Sequence, residues 1–320
     1  MKTKEVIDWL DATFHPEYQE DYDNAGFLLG NAQSDYKGAL VALDLTPAVV
    51  DEAVQLGMSL IVTHHPFIFT GVKRLTDASE TGRMTMALIK NDISVYAAHT
   101  NLDNLAWGVS GELATRLGLL NCRVLRSTPS PLRGTPPETG GEQKKTEPVV
   151  TCCPPETVED PKTSEVVVAC CSPETVELSE GLRGGYPKEI GAGMVGELPE
   201  PISVVDFLQK VKTVLGLPVI RVNNEACRVT PLQVQRVALC GGSGAEFIDD
   251  ARAAGADIYL TADLKYHDFQ RTDGRMVLAD IGHYESEQFA KDIIFRCISE
   301  KFTNFACRIS STQKSLVQYI

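Results

Sequence analysis

Apolar and polar residues follow two different spacings along the first part of the chain, and the switches between them predict alternating helices and strands. Residues 3–14 carry apolar side chains at helical spacing, and residues 38–45 form an apolar, strand-like run. Thr46 and Pro47 then provide a helix start, and Gly57 marks the predicted end of that helix. Further strands are predicted at 59–65 and 93–100, and further helices at 81–92 and 104–119. This repeated order predicts an α/β fold in which helices cover the faces of a mixed sheet.

The pattern is interrupted between residues 127 and 190 and then resumes. Residues 127–148 are rich in Pro, Ser, Thr and Gly, a composition typical of a linker. From residue 191 strands and helices alternate again, and a long amphipathic helix is predicted over 285–302. We therefore predict an N-terminal lobe over 1–126, a low-complexity central insert over 127–190, and a similar C-terminal lobe over 191–320 that completes a metal site between the lobes.

The central insert contains two vicinal cysteine pairs, Cys152-Cys153 and Cys170-Cys171, in two related phrases. A soft-metal site and a duplicated strand-turn unit are both compatible with them. The spacing matches no CxxC framework, which favours the duplicated unit. The chain has nine cysteines in total, an odd number, and without a secretory signal we expect free thiols.

The formal net charge of −13 narrows the range of partners. General nucleic-acid binding is not expected, because it requires clustered Lys and Arg. No stretch approaches the roughly 18 apolar residues of a membrane span. The N-terminal segment also lacks the apolar centre of a signal peptide. We expect a cytoplasmic protein that does not enter a membrane.

Five of the six histidines lie in or beside polar phrases at the ends of predicted strands. These phrases contain His64, His65, His99, Asp103, His267, His283 and Glu287. Imidazole and carboxylate together are the ligands of divalent ions such as Zn, Fe, Mn, Co or Ni. Each phrase alone is compatible with ordinary loop residues. Their concentration favours a metal site.

The spacing of five of these residues suits two ions. Adjacent histidines on an extended chain point to opposite sides, so His64 and His65 can each reach a different ion. His283 and Glu287 are four residues apart at a helix start and share one face. Asp103 has two carboxylate oxygens that can bridge two ions. The sequence therefore predicts a dinuclear centre with two divalent ions per subunit, of open identity.

Two histidines and one glycine-rich phrase have a less defined role. His99 and His267 are candidates for contacts with the ligands or with a substrate, and polar strand-end residues without a catalytic role are an equal alternative. Residues 240–247 predict a tight strand-to-helix turn rather than a phosphate loop, since they fit neither GxGxxG nor P-loop spacing.

Seven phrases, taken in chain order, resemble the motifs of the Nif-three-like family, also catalogued as the GTP cyclohydrolase 1 type 2 homologues. They are DNAGFLLG, LDLTPAVVDEA, IVTHHPFIF, AAHTNLDN, GMVGEL, VALCGGSGAEFIDDARAAGADIYLTADLKYHDF and IGHYESE. The resemblance covers both predicted lobes and leaves out residues 127–190. It implies a two-lobed α/β fold, a ring-shaped homohexamer and a dinuclear centre, with ligands at His64, His65, Asp103, His283 and Glu287.

The chain departs from the family pattern at a few positions. Ala25 and Phe27 stand where Val and Leu are common, Ala262 replaces a common Gly, and Ser110 replaces a common Asn. None of these changes removes a proposed ligand. The central insert differs from those of other members, so no activity of such inserts carries over.

Three functions are compatible with this sequence. The leading hypothesis is a metal-dependent hydrolase that uses metal-activated water on a nucleotide-like or other small phosphorylated substrate, as the cyclohydrolase name suggests. The second is a non-catalytic, ring-shaped assembly that binds metal or a partner. The third is a phosphoesterase with broad substrates. A fold and a pair of ions do not by themselves name a substrate.

Overall fold

The computed structural model describes residues 1–127, 190–227, 232–318 and 320. Within these residues eleven strands form two mixed sheets. In chain order the strands are β1 (Gly26–Leu29), β2 (Gly38–Ala42), β3 (Leu60–Thr63), β4 (Ser94–Ala97), β5 (Leu120–Ser127), β6 (Gly191–Ser203), β7 (Arg221–Val222), β8 (Gln233–Ser243), β9 (Ile258–Ala262), β10 (Val277–Asp280) and β11 (Ala306–Ile309).

Nine α-helices accompany these strands in the described part of the chain. They are α1 (Thr3–Phe14), α2 (Pro47–Leu56), α3 (Glu80–Lys90), α4 (Thr100–Asp103), α5 (Val109–Arg116), α6 (Val204–Leu215), α7 (Ile248–Ala253), α8 (His283–Glu287) and α9 (Ala290–Lys301). Short 3-10 helices occur at Pro16–Tyr18, Asn224–Cys227, Ala245–Phe247 and Tyr266–Gln270. None of the described helices is long and apolar enough to cross a bilayer.

The first sheet has the strand order β1-β4-β3-β2-β11. Strands β11, β2, β3 and β4 are parallel, and β1 pairs antiparallel with β4. The central strands are buried along their whole length, which explains their continuous apolar sequences. Because β2, β3 and β4 run in the same direction, the residues that follow them gather at one edge of this sheet.

The second sheet has the order β5-β6-β8-β9-β10-β7. Strands β8, β9 and β10 are parallel, whereas β5, β6 and β7 add antiparallel pairs. The central parallel part again places the ends of three strands at one edge. This is where α8, with two of the predicted ligands, begins.

The ends of the longer helices follow the local rules read from the sequence. Thr46 caps α2 by accepting a hydrogen bond from the amide of Val49 at 3.3 Å. Gly57 ends the same helix in the left-handed conformation, with φ of 65°. Ser203 caps α6 by accepting from the amide of Asp206 at 3.1 Å.

Each sheet packs against two clusters of buried apolar side chains, one on each face, and α5 contributes to one cluster of each sheet. Val109 of α5 packs in a cluster of the first sheet, whereas Leu113 of α5 and Leu117 just after it pack in a cluster of the second. The C-terminal helix α9 joins Val109 in the cluster of the first sheet through Ile293 and Ile294. The end of the chain therefore returns to the sheet in which the chain began.

Some elements differ from the sequence prediction. The single helix predicted over 285–302 is two helices, α8 and α9, separated at Gln288 and Phe289. The side chain of Gln288 donates to the carbonyls of Leu215 and Glu285, both at 3.1 Å, and this holds the break in place.

The division of the chain into three segments remains a prediction, because only the isolated fragments 1–126 and 191–320 would show whether each folds separately. The structure does show that the chain crosses between sheets. β5 joins the second sheet, and β11 joins the first. The vicinal cysteine pairs and nearly all of the insert lie outside the described residues.

Candidate metal centre

The two adjacent histidines lie directly after β3, at the edge of the first sheet where its parallel strands end. The amide of His64 donates to the carbonyl of Ala42 at 3.2 Å, and the amide of His65 donates to that of Leu43 at 2.9 Å. Strand pairing therefore continues past the end of β3 and fixes both residues. Their rings have centroids 4.9 Å apart and are tilted by 45°. The Nε2 atoms of both rings face the same side chain, so the two histidines share a common centre and do not point to opposite sides as expected for an extended chain.

That centre is the carboxylate of Glu287. Its Oε2 lies 2.9 Å from Nε2 of His65 and 3.0 Å from Nε2 of His283, while its Oε1 lies 3.9 Å from Nε2 of His64. His283 and Glu287 occupy the first and last positions of α8, so the four-residue spacing puts both on one face, as predicted. Gly282 precedes them with a φ of 75°, which allows α8 to begin directly after the strand end.

Asp103, at the end of α4, completes this group. Its Oδ1 lies 3.7 Å from Nε2 of His64. Both atoms are buried and have no hydrogen-bond partner among the described residues. A buried polar atom without a partner costs roughly 1–3 kcal/mol, so natural proteins seldom leave two of them facing each other. A cation between the two atoms would satisfy both, and this pair of donors therefore fits a divalent ion.

The other nitrogen of each ring is held by an oxygen. Nδ1–H of His64 donates to the carbonyl of Ala98 at 2.7 Å. Nδ1–H of His65 donates to Asp44, and Nδ1–H of His283 donates to Asp263, each at 2.7 Å. Because each Nδ1 keeps its proton on that oxygen, Nε2 is the atom that can give up a proton and offer a lone pair to an ion, and this is the usual environment of metal-binding histidines.

Sequence reasoning did not single out Asp44 or Asp263. Each follows a strand of a sheet directly or closely, Asp44 after β2 and Asp263 after β9. Both aspartates thus have the feature by which the histidines were chosen, namely a polar residue at a strand end. The sequence does not show the strand pairing that brings each carboxylate to its histidine.

The ionisation of the cluster reflects a high density of charge. Burial favours the neutral ring of His65, but the carboxylates of Asp44 and Glu287 outweigh it and raise the pKa to about 10. In the same way, burial of His283 is outweighed by Glu287 and Asp263, and its pKa rises to about 9. Burial opposes ionisation of Glu287 too, yet hydrogen bonds from His283 and His65 hold its pKa well below the usual range. The protonated rings of His65 and His283 therefore surround the ionised carboxylate of Glu287.

The opposite shifts occur at His64 and Asp103. Burial lowers the pKa of His64, so its ring is held neutral. Burial and the nearby charge of Glu287 raise the pKa of Asp103 well above its usual value. Without a cation, this part of the site favours an uncharged carboxyl group. A bound ion would reverse that preference, because it supplies the positive charge that the carboxylate lacks.

The strand-to-helix turn predicted over 240–247 begins later than expected: residues 240–243 belong to β8, which has an irregular register between Leu239 and Ser243, and a 3-10 helix follows at Ala245–Phe247. The amide of Gly241 donates to Ser110 Oγ at 3.2 Å, and the amide of Gly242 donates to Ser286 Oγ at 3.0 Å. Both amides are thus used within the protein. This end of β8 passes close to the cluster, and a Cβ added at position 242 would lie 1.9 Å from Oε1 of Glu287, so that the carboxylate would have to move.

The two remaining candidate histidines have different positions. His99 lies beside the cluster, with its ring centroid 5.4 Å from those of both His64 and His65, and its Nδ1–H donates to Asp23 at 2.7 Å. His267 is exposed on a short 3-10 helix, where its ring contacts Tyr266. The structure therefore brings His99 to the site and leaves His267 outside the set of described residues that line it.

A cleft of about 480 Å³ opens beside the cluster, between strands β5, β6 and β8 of the second sheet and residues of the segment 99–104 that follows β4 of the first sheet. His99, Asp103, His283 and Glu287 form one side of the cleft. Arg126 of β5 lines it as well, with its guanidinium 4.5 Å from the ring centroid of Phe247 and paired with Asp250. This volume lies within the range of small-molecule sites, roughly 300–1,000 Å³.

The sequence of this chain is similar to those of known proteins. A family model described as Duf34/NIF3 (NGG1p interacting factor 3) matches residues 1–315. A Streptomyces coelicolor protein named GTP cyclohydrolase 1 type 2 homolog is 31% identical over 288 residues, which cover 89% of this chain and 81% of that protein. A Clostridium perfringens protein of the same name is 27% identical over 290 residues, covering 90% of this chain and 87% of its own.

Solved structures agree with the fold. The Staphylococcus aureus protein SA1388 superposes with a TM-score of 0.74 at 26% identity, over 100% of this chain and 99% of its own. A Bacillus cereus protein related to NIF3 gives the same TM-score at 23% identity, over 100% and 99% of the two chains, and supports the fold alone. The predicted α/β fold with two mixed sheets is confirmed.

Proposed function

This chain belongs to the Duf34/NIF3 family, and we propose that it is a metal-dependent hydrolase with a dinuclear centre. The proposed ligands of the two divalent ions are His64, His65, Asp103, His283 and Glu287. The observation that carries the proposal is the pair of buried atoms, His64 Nε2 and Asp103 Oδ1, that face each other without hydrogen-bond partners among the described residues.

The distances support a division of the ligands between two ions. Oε1 of Glu287 faces His64, which in turn faces Asp103. Oε2 of Glu287 faces His65 and His283. Glu287 therefore stands between two groups of donors and would serve both, a role that the sequence had suggested for Asp103. Such a set of imidazoles and carboxylates suits Zn, Fe, Mn, Co or Ni.

When bound, a pair of divalent ions lowers the pKa of coordinated water towards neutrality and stabilises a developing oxyanion. The residues of the chain orient the proposed ligands and provide a group for proton transfer. The acceptors on the Nδ1 atoms of the histidines keep each Nε2 directed at the centre. His99, held by Asp23, leaves its own Nε2 available to hold or move a proton in the cleft.

A small phosphorylated or nucleotide-like substrate is the class that we propose for the cleft. Arg126 supports this class, because a guanidinium matches the oxygens of a phosphate group. The contacts of Arg126 with Asp250 and Phe247 hold the side chain in one position on the wall. The name of the curated relatives, GTP cyclohydrolase 1 type 2 homolog, points to GTP as the first nucleotide to test.

Metal content tests the site directly. We expect about two ions per subunit in the wild-type protein by inductively coupled plasma mass spectrometry, and a loss of most of them in a His64→Ala/His283→Ala double variant. Glu246→Gln is the matched control, since Glu246 lines the same cleft outside the proposed ligand set. Equal metal content in the double variant and the wild type would remove the basis of the proposal.

Activity needs a separate measurement. We expect the metal-loaded protein to hydrolyse GTP or a small phosphoester, and we expect Glu287→Gln to abolish the reaction. Turnover of generic phosphoesters but not of GTP would identify a broad phosphoesterase. Full metal content with no turnover of any of these compounds would instead support the non-catalytic assembly.

We also propose, from the family resemblance, that the protein forms a ring-shaped homohexamer in the cytoplasm. Light scattering coupled to size-exclusion chromatography of the full chain measures the subunit number. A monomeric mass at micromolar concentration would contradict the hexamer.

A further inference from the structure

The C-terminal tail reaches the metal centre through a short chain of hydrogen bonds. The side-chain amide of Gln313 donates through Nε2 to Oδ2 of Asp44 at 2.9 Å. The other oxygen of Asp44 accepts from Nδ1–H of His65 at 2.7 Å. Oε1 of Gln313 accepts from the backbone amide of Leu43, the residue before Asp44. Gln313 therefore contacts both the side chain and the backbone that place the partner of His65.

The tail itself is firmly attached to the first sheet. The amide of Ser310, which follows β11, donates to the carbonyl of Val41 in β2 at 2.8 Å. Glu52 of α2 then accepts from Ser310 Oγ at 2.5 Å, from the amide of Ser311 at 3.0 Å and from Thr312 Oγ1 at 3.1 Å. These contacts leave Gln313 little freedom to move away from Asp44.

We infer that Gln313 is a positioning residue of the metal centre, acting through Asp44 on His65. A carboxylate held at one oxygen can rotate about its terminal torsion, and the bond from Gln313 to the second oxygen removes this freedom. The Asp44 carboxylate then keeps the ring of His65 in the orientation that directs Nε2 at Glu287. This inference rests on the proposed function, because it assumes that His65 is a ligand.

The other carboxylate partner of a proposed ligand provides a contrast. The Asp263 side chain, which accepts from His283, is 52% exposed, whereas the Asp44 side chain is 26% exposed. Water competes more readily for the exposed carboxylate, so geometry at His65 depends more on protein contacts. We therefore expect a change at Gln313 to weaken mainly the ion bound by His65.

Gln313→Glu is the decisive variant. It keeps the shape of the side chain but replaces the donor Nε2 with an oxygen that repels Asp44. Changes to residues that support metal ligands typically weaken binding by 10–100-fold, and Gln313 lies one hydrogen bond further out, so we expect about 10-fold weaker binding of one ion. Gln318→Glu is the matched control, with the same change of charge at an exposed position of the same tail.

Cobalt(II) serves as the probe, because its visible absorption bands report coordination geometry as well as occupancy. The full-length protein, freed of metal, is titrated with cobalt(II), and thermal unfolding of the metal-free protein is measured in parallel. We expect weaker binding and altered bands in Gln313→Glu, wild-type behaviour in Gln318→Glu, and similar unfolding midpoints for all three. A purely structural role of Gln313 would lower the unfolding midpoint and leave the bands unchanged.

The outcomes separate this inference from the proposed function. Cobalt binding and spectra in Gln313→Glu that equal those of the wild type would overturn the role of Gln313 alone. Failure of the wild type to bind cobalt, or wild-type binding by Glu287→Gln, would overturn the metal centre itself.

Discussion

At the scale of single residues, the site depends on a position that carries no side chain. Gly242 adopts a left-handed φ of 64°, and an added Cβ would lie 1.9 Å from Oε1 of Glu287 and 3.6 Å from Cε1 of His283. The glycine thus provides both the left-handed backbone of the irregular end of β8 and the space for a proposed ligand. Since a carboxylate at the end of a flexible side chain can move aside, the cost of filling this space should appear in metal binding more than in folding.

We predict that Gly242→Ala lowers metal occupancy strongly, because Glu287 has to leave its place between the two groups of donors. Gly216→Ala is the control: Gly216 has a similar φ of 68° but no atom within 4 Å of the added Cβ. Both variants lose roughly 1 kcal/mol of stability from a left-handed alanine. Metal content by mass spectrometry and unfolding by urea distinguish the effects. Equal metal content in the two alanine variants would contradict the prediction.

At the scale of elements, helix α2 and strand β11 are joined by Glu52. Its carboxylate accepts hydrogen bonds from the backbone and side chain of Ser311 and from the hydroxyls of Ser310 and Thr312. Burial opposes ionisation of Glu52, but these hydrogen bonds outweigh it and lower its pKa from 4.5 to about 2. The attachment of the C-terminal strand therefore contains a contribution that depends on pH.

The direction of this pKa shift determines how the stability of the fold depends on pH. A carboxyl group whose pKa is lower in the folded state stabilises the fold above its unfolded pKa and loses this contribution as pH falls through the folded pKa. The contribution of Glu52 is therefore complete above about pH 4.5 and is lost between there and about pH 2. We predict that Glu52→Gln destabilises the protein by about 1 kcal/mol at pH 7. The difference from wild type should shrink toward pH 2.

Urea unfolding at several pH values measures this difference. Asp51→Asn is the control, because Asp51 is an exposed acidic neighbour on the same helix. A constant difference between Glu52→Gln and the wild type from pH 7 to pH 2 would be the contrary result.

At the scale of the whole molecule, a hydrophobic cluster of each sheet meets the other at helices α5 and α9. Glu112 of α5 is buried and accepts from Arg116 Nε at 2.8 Å and from Arg296 of α9 at 3.3 Å. Arg116 also stacks over Phe289, with its guanidinium carbon 3.8 Å from the ring centroid. Because the proposed ligands come from both sheets, the placement of one sheet against the other determines the geometry of the cluster.

We predict that Glu112→Gln lowers the free energy of unfolding by about 2 kcal/mol, because it removes one charge from a partly buried network of three groups. The matched Asp292→Asn variant, at a carboxylate whose side chain is 41% exposed, should cost at most about 1 kcal/mol. Urea unfolding of the metal-free proteins measures both. An equal loss in the two variants would show that burial of Glu112 does not matter.

The sequence by itself determined the order of most helices and strands and the residues around which the site is built. Periodicity and capping act within a few residues, so helices such as α1 and α2 begin and end where their sequences indicate. Two histidines beside one proline, and a His–Glu pair four residues apart, likewise carry their meaning locally. The proposed ligands were recognisable for that reason.

Only the tertiary structure decided which segments meet. β11 pairs with β2 although most of the chain lies between them, and β1, β5 and β11 were not predicted as strands. Asp44, Asp263 and Gln313 reach the centre only because strand pairing brings distant strand ends together. Such contacts are stabilised by the packing of the whole chain and not by local preference. They therefore cannot be predicted from any short stretch of sequence.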